Sequence, residues 1–103
     1  AVMSDKVLVI ISSSDRGKNI TGLMYATNAL RYAWMNEVRV VVFGPSQQLA
    51  LKDEEIQGYL KDLIGQGNTP ATCKYIADEE NMASNLSRLG LDVVYVGTLI
   101  SDY

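Results

Sequence analysis

The chain contains a single cysteine, Cys73, which is the side chain best suited to covalent chemistry. A cysteine acts as a nucleophile in its thiolate form, and nearby cations or backbone N–H groups increase the thiolate fraction. Lys74 follows Cys73 directly, while Arg16 and Lys18 lie in a polar loop near the start of the chain. The sequence therefore predicts a candidate catalytic thiol at Cys73, with Lys74 as a candidate ligand-binding neighbour.

A packing role is the alternative for Cys73, because free cysteine is among the side chains most often buried in protein cores. Both interpretations stay open at the level of the sequence, and the exposure of the thiol separates them. One cysteine also excludes an internal disulfide, so we expect a cytoplasmic protein.

The polar loop of residues 12–19, SSSDRGKN, is the second candidate site. Backbone N–H groups at the start of a helix can hold an anion, and basic side chains would help. The loop matches neither the P-loop nor the dinucleotide-binding glycine pattern. The alternative is a solvated loop whose polar side chains cap the following helix. The candidate ligand-binding residues here are Ser12, Ser13, Ser14, Arg16, Lys18 and Asn19.

Composition restricts the remaining functions. The chain has no histidine, and its acidic residues show no recognisable metal-loop spacing, so we expect neither a metal nor a cofactor. A conventional hydrolase is disfavoured because no G-x-S-x-G motif occurs. The net charge of −3 argues against binding nucleic acid. The lack of a long apolar run argues against a membrane span.

The hydrophobic pattern predicts alternating strands and helices within one domain, residues 1–103. Apolar runs that indicate strands cover residues 6–11, 38–44, 69–76 and 91–97. Amphipathic patterns that indicate helices cover residues 18 or 19 to about 36, 52–67 and 77–90. We expect a loop between the second strand and the second helix, and a final turn after the fourth strand.

This order predicts an α/β fold. We expect a small, doubly wound, mainly parallel sheet of four to five strands with helices on both faces, as in Rossmann or flavodoxin-like proteins. Such sheets bind ligands at the carboxyl ends of their strands. If the first strand neighbours the third, Cys73 and the loop of residues 12–19 meet at that edge.

The first predicted helix carries apolar residues on two faces. Its core stripe contains Ile20, Leu23, Met24, Thr27, Leu30 and Trp34. The second face contains Tyr25, Ala29 and Tyr32, with Ala26 and Ala33 nearby. A helix that is apolar most of the way round is buried on more than one side, so we expect a homo-oligomer. The alternative is that the tyrosines flank the core with their hydroxyls in water.

Four segments of the chain resemble the DsrE/DsrF-like family: KVLVIISSSDRGKN, ALRYAWMNEVRVVVFG, LIGQGNTPATCKY and DVVYVG. The resemblance extends over nearly the whole chain. It implies a small cytoplasmic α/β protein that assembles as a trimer or hexamer. It also implies that Cys73 carries sulfur as a persulfide in relay with a TusA-like carrier protein.

Two hypotheses follow. In the first, the protein is a sulfur carrier or sulfurtransferase that works through Cys73. In the second, it is a non-catalytic α/β module that binds a small anion or mediates assembly, and Cys73 is part of the packing. Accessibility of Cys73 distinguishes the two.

Overall fold

The computed structural model describes residues 5–103, in which strands and helices alternate. The strands in this part of the chain are β1 (Lys6–Ile11), β2 (Glu37–Val42), β3 (Ala71–Cys73) and β4 (Asp92–Val94). The helices are α1 (Arg16–Arg31), α2 (Pro45–Lys52), α3 (Glu54–Gly65), α4 (Lys74–Glu79), α5 (Ala83–Arg88) and α6 (Val96–Asp102).

The sheet is parallel, and each strand pairs with its neighbour in the chain, in the order β1-β2-β3-β4. Val41 pairs with Ala71, and Cys73 pairs with Val94. The first and third strands are therefore not neighbours, because β2 lies between them. Each crossover moves the chain by one strand position in the same direction, which places β2 beside both β1 and β3.

One face of the sheet packs against the crossover helices and forms the main core. Alternate residues of a strand face the same side, so Val38, Val40 and Val42 of β2 all contribute to this core. Leu23 of α1 and Leu60 of α3 are almost completely buried against them. The apolar faces of α1 and α3 therefore pack on this side of the sheet and bury one apolar layer between the helices and the strands.

On the opposite face of the sheet lies α6, which follows β4 and covers part of that face. A second buried cluster on this face contains Val41, Ala71, Cys73 and Val96. At the end of α6, the Tyr103 hydroxyl donates a hydrogen bond to the Val7 carbonyl of β1, with 3.0 Å between the oxygens. Helices thus lie on both faces of a four-stranded parallel sheet, which confirms the predicted Rossmann or flavodoxin-like α/β class.

Helix α1 ends at Arg31, earlier than the predicted end near residue 36. The Trp34 N–H bonds to the Ala29 carbonyl, and the Ala33 N–H bonds to the Leu30 carbonyl. Ala33 adopts a left-handed conformation, with φ of 54°. These are the bonds of a Schellman motif, which stops a helix without requiring a proline. The sequence offers no glycine at this position, so the end of the helix was not recognisable.

The burial of residues in and after α1 differs from the predicted faces of this helix. Ala26 and Ala29, expected near a subunit contact, are buried in the main core. Trp34, expected in the core stripe, is 58% exposed. Its ring lies 6.1 Å from that of Tyr25 and 6.0 Å from that of Tyr32, measured between centroids. These three side chains form an exposed aromatic cluster, and assembly through it stays a prediction.

The segment after β2 was expected to be a loop, but it forms α2. Gly44 precedes the helix with φ of 66°, a conformation that glycine adopts without steric cost. Pro45 occupies the first helical position, where its missing N–H needs no partner. The next two residues, Ser46 and Gln47, are polar but completely buried.

Three further boundaries differ from the predicted ones. The third strand is short, because α4 begins at Lys74 immediately after Cys73. The predicted helix over residues 77–90 is divided into α4 and α5 by a turn at Asn81, which has a φ of 55°. The chain after β4 forms α6 rather than an isolated turn.

Candidate functional site

Cys73 lies at the carboxyl end of the sheet, where β3 gives way to α4. It is the last residue of β3 and the N-cap residue of α4. Only 6% of the residue is exposed. Its side chain belongs to the buried cluster beneath α6, together with Val41, Ala71 and Val96. The thiol therefore lies at the carboxyl end of the sheet and is packed among apolar side chains.

Helix α6 provides the cover over the Cys73 face. Leu99 and Ile100 of this helix are partly buried against the second cluster, and Val96 is fully part of it. Ile76 of α4 also packs against the same cluster. Access to the thiol from solvent therefore depends on how closely α6 and α4 hold to the sheet.

Gln47 fixes the backbone of Cys73. Its side chain is completely buried, and its Nε2 donates a hydrogen bond of 3.2 Å to the Cys73 carbonyl. Its Oε1 accepts a hydrogen bond of 3.0 Å from the Gly44 N–H. One buried amide thus joins the start of α2 to the junction of β3 and α4. Because buried polar groups need partners, this amide restricts the backbone at both ends.

Ser46 makes the corresponding link to the polar loop. Its Oγ accepts a hydrogen bond of 2.9 Å from the Ser13 N–H and donates one of 3.1 Å to the Ser13 carbonyl. Asn19 is buried, and its side chain donates to the carbonyls of Ser13 and Asp15 at 2.9 and 2.8 Å. The loop and Cys73 therefore belong to one edge and are connected through the first turn of α2.

Arg16 of the polar loop is paired with carboxylates of the α3 start. Arg16 donates hydrogen bonds to Asp53 and Glu55 at the start of α3, with 2.7 Å to the Glu55 carboxylate. Bonding of Asp53 to the Ile56 N–H, and then to Arg16, lowers the pKa of the Asp53 carboxyl below its usual range. Arg16 thus has carboxylate partners, which makes it poorly suited to holding an added anion.

The other predicted residues of this loop are at its surface. Ser12, Ser14 and Lys18 are exposed. The Lys18 backbone N–H bonds to the Asp15 carboxylate at 2.9 Å, which caps α1 as the capping interpretation predicted. This part of the loop therefore stabilises the start of a helix.

Lys74, in the first turn of α4, is held beside the Cys73 edge by two contacts. Its Nζ donates a hydrogen bond of 2.7 Å to Asp78 and lies 5.8 Å from the centre of the Tyr95 ring. The bond to Asp78 raises the pKa of the Lys74 ammonium group. Lys74 is therefore a stable positive charge at this edge and is not suited to accept protons.

Sequence reasoning missed the two polar residues that organise the site, Ser46 and Gln47. The available signal was the Gly44–Pro45 pair, which is typical of a helix start and places both side chains in the first turn. The sequence contains no signal that these polar side chains are buried, because they satisfy their hydrogen bonds with distant backbone groups.

Two general features concern the class of site. Among residues 5–103, no group of three or more cysteine, aspartate or glutamate side chains is arranged to hold a metal ion. No helix within the same range has both the length and the apolar character that crossing a membrane requires.

Comparison with known proteins places the fold but no activity. No protein-family model matches the chain, and no curated protein matches it. A solved structure of a conserved protein of unknown function, BT1422 from Bacteroides thetaiotaomicron, is similar over all of this chain and 91% of its own, with a TM-score of 0.85. The two sequences are 24% identical. The chain therefore shares its α/β fold with that protein.

Proposed function

We propose that the protein accepts sulfane sulfur on Cys73 and passes it to a partner protein. The observation that carries the proposal is the position of the thiol at the carboxyl end of a parallel sheet, where α/β proteins bind their ligands. Gln47 supports it by holding the Cys73 backbone in one conformation. The resemblance to the DsrE/DsrF-like family adds a cytoplasmic homo-oligomer, a trimer or hexamer, and a TusA-like carrier partner.

The transfer is a thiol–persulfide exchange. The Cys73 thiolate attacks the terminal sulfur of a donor persulfide, so a bond forms between Sγ and that sulfur. The donor's sulfur–sulfur bond breaks, and its electron pair leaves with the donor thiolate. The proton on the transferred sulfur stays with it, and no external oxidant is consumed. The reverse exchange with an acceptor thiolate returns Cys73 to its starting state.

The burial of Cys73 sets a condition on this proposal. A donor reaches Sγ only when α6 moves away from the sheet, because Val96 and Leu99 cover the cluster that contains the thiol. Contact with a partner at the adjoining surface would supply the energy for such an opening. The intact chain should then react slowly with a small donor and faster with a protein donor.

The test measures the intact mass of the folded protein after exposure to inorganic polysulfide. Wild type should gain whole sulfur atoms that dithiothreitol removes, and the Cys73→Ser variant should gain none. Wild type in urea provides the matched control for a thiol that is competent but covered. Modification of denatured protein alone, with none in folded protein at any donor concentration, contradicts sulfur transfer.

The second candidate function is an assembly module in which Cys73 is core. The near-complete burial of Cys73 among apolar side chains favours it. The exposed aromatic cluster of Tyr25, Tyr32 and Trp34 supplies a surface for assembly. Because Arg16 is already bound to carboxylates, assembly is better supported than anion binding. Sedimentation of wild type and Trp34→Ser tests this: the variant should dissociate, and identical masses contradict it.

A further inference from the structure

We propose that a cleft beside Cys73 binds an arginine side chain from a basic segment of the partner protein. The cleft has a volume of about 330 Å³ and is lined by Tyr75, Asp78, Glu79 and Tyr95. The proposal deepens the sulfur-relay function by giving the chemistry of the partner, and it rests on that function for the partner's role. The binding itself does not require sulfur chemistry.

The cleft lies next to the thiol in the chain and in the sheet. Tyr75 is the second residue of α4, which starts directly after Cys73. Tyr95 follows Val94, and Val94 is the residue of β4 that pairs with Cys73. The two tyrosines that line the cleft thus belong to the chain segments that directly follow Cys73 and its pairing partner. A group bound between them is close to the proposed point of transfer.

The aromatic walls are unusually open to solvent. Tyr75 is 62% exposed and Tyr95 is 63% exposed. Large exposed aromatic side chains that adjoin a cleft are typical of surfaces that bind another molecule. The faces of aromatic rings attract cations, and arginine is the cation most often found there. The walls therefore favour a positively charged, planar group.

The charges of the cleft favour the same group. The Asp78 and Glu79 carboxylates line the cleft, and Glu80 follows them. The one ammonium group of α4 belongs to Lys74, which bonds to Asp78 and also lies over the Tyr95 ring. Lys74 thus already contacts both a carboxylate and an aromatic ring at the edge of the cleft. Glu80 does not line the cleft and accepts a hydrogen bond from Gln48, so the Glu79 carboxylate is the acidic group of the cleft available to a second cation.

Arginine fits this combination better than other ligands. A guanidinium group is planar, stacks on aromatic rings and forms paired hydrogen bonds with a carboxylate. An anionic ligand would meet the repulsion of Asp78 and Glu79. We therefore assign the cleft to a basic protein segment and not to a free anion.

The test uses the Cys73→Ser protein, labelled with ¹⁵N, so that sulfur chemistry cannot contribute. The probe is an acetylated Gly-Arg-Gly-Arg-Gly amide peptide, and the matched control peptide has citrulline, which is neutral, in place of arginine. The arginine peptide should cause saturable shifts of the Tyr75 and Tyr95 amide signals that weaken with added salt. The citrulline peptide should not. Equal shifts with both peptides would overturn the assignment.

Variants then locate the binding. Tyr95→Ala and Glu79→Gln should each weaken binding about two- to fivefold, the range expected for an exposed cation–aromatic or charged contact. Tyr32→Ala removes an equally exposed tyrosine from the distant aromatic cluster and should have no effect. If Tyr32→Ala weakens binding as much as Tyr95→Ala, the cleft is not the site.

The outcome is separable from that of the sulfur-transfer test. Peptide binding by the Cys73→Ser protein, with no sulfur loading of wild type, leaves the cleft as a docking site and removes the sulfur function. Sulfur loading of wild type without peptide binding refutes the cleft and leaves sulfur transfer in place.

Discussion

Replacement of Gln47 by methionine should destabilise the junction between β3 and α4. Methionine fills a volume similar to that of glutamine but has no amide, so the packing is largely kept. The Gly44 N–H and the Cys73 carbonyl each lose the hydrogen bond that they make with this side chain. Gln47 is completely buried, so water does not readily replace the amide.

The magnitude follows from the two groups left without partners. A buried donor or acceptor that loses its partner costs about 1–3 kcal/mol, so two cost about 2–6 kcal/mol. Burial of the apolar methionine side chain returns about 1 kcal/mol of this. We therefore expect the free energy of unfolding to fall by about 3 kcal/mol. This is a large part of the total stability of a domain, which is typically about 5–15 kcal/mol.

Urea unfolding followed by circular dichroism measures this change. With a denaturant slope of about 1.5 kcal/mol per molar, the midpoint should fall by about 2 M. Gln57→Met is the matched control, because Gln57 is partly buried and donates one hydrogen bond of 2.9 Å to the Ala50 carbonyl. It should lose about 1 kcal/mol. A Gln47→Met protein within about 0.5 kcal/mol of wild type refutes the role assigned to this amide.

Three further predictions concern backbone conformation and titration. Ala33→Gly relieves a left-handed backbone conformation, and Gly58→Ala removes a glycine from the middle of α3, where an added Cβ meets no atom. Each substitution should raise the free energy of unfolding by about 0.5–1 kcal/mol, as measured by thermal unfolding. A loss of stability in either variant contradicts the backbone argument. The pKa of Asp53 is lowered in the folded state, so the stability that its carboxylate contributes should disappear as the pH falls below about 4. Asp53→Asn should therefore reduce the slope of the free energy of unfolding against pH on the acid side. An unchanged slope would exclude this carboxyl as a cause of acid unfolding. Burial, and then the nearby Glu37 carboxylate, raises the pKa of the Tyr103 hydroxyl, so stability should fall as the pH rises above about 10. Absorbance titration should lose its highest tyrosine step in Tyr103→Phe, and retention of that step refutes the assignment.

Much of the fold was predictable because it depends on local patterns. The apolar runs of β1 and β2 and the acidic start of α3 each indicate one type of element, and these elements formed where expected. Strand order was not predictable in the same way, since periodicity identifies a strand without identifying its neighbour. The end of α1 was missed because Ala33 occupies a position where glycine is the usual signal.

The candidate site was predictable only in part. Cys73 was identified by its chemistry, but its place as the last residue of β3 was not, because the predicted strand continued to residue 76. Its burial depends on α6 folding back over the sheet, which no local pattern near Cys73 encodes. The burial of Gln47 was equally hidden, because its partners at Gly44 and Cys73 become neighbours only in the folded chain.

The pairing of each strand with its neighbour in the chain has a consequence for how the protein folds. Every strand finds its partner one crossover away, so no strand pairing requires the closure of more than one crossover segment. The sheet can therefore grow strand by strand as the chain leaves the ribosome, with β1 and β2 joined before β4 is synthesised. The contact between Tyr103 and Val7 joins residues 96 positions apart, so it forms after the strands have paired. Closure of α6 over the Cys73 face would then follow the pairing of the four strands.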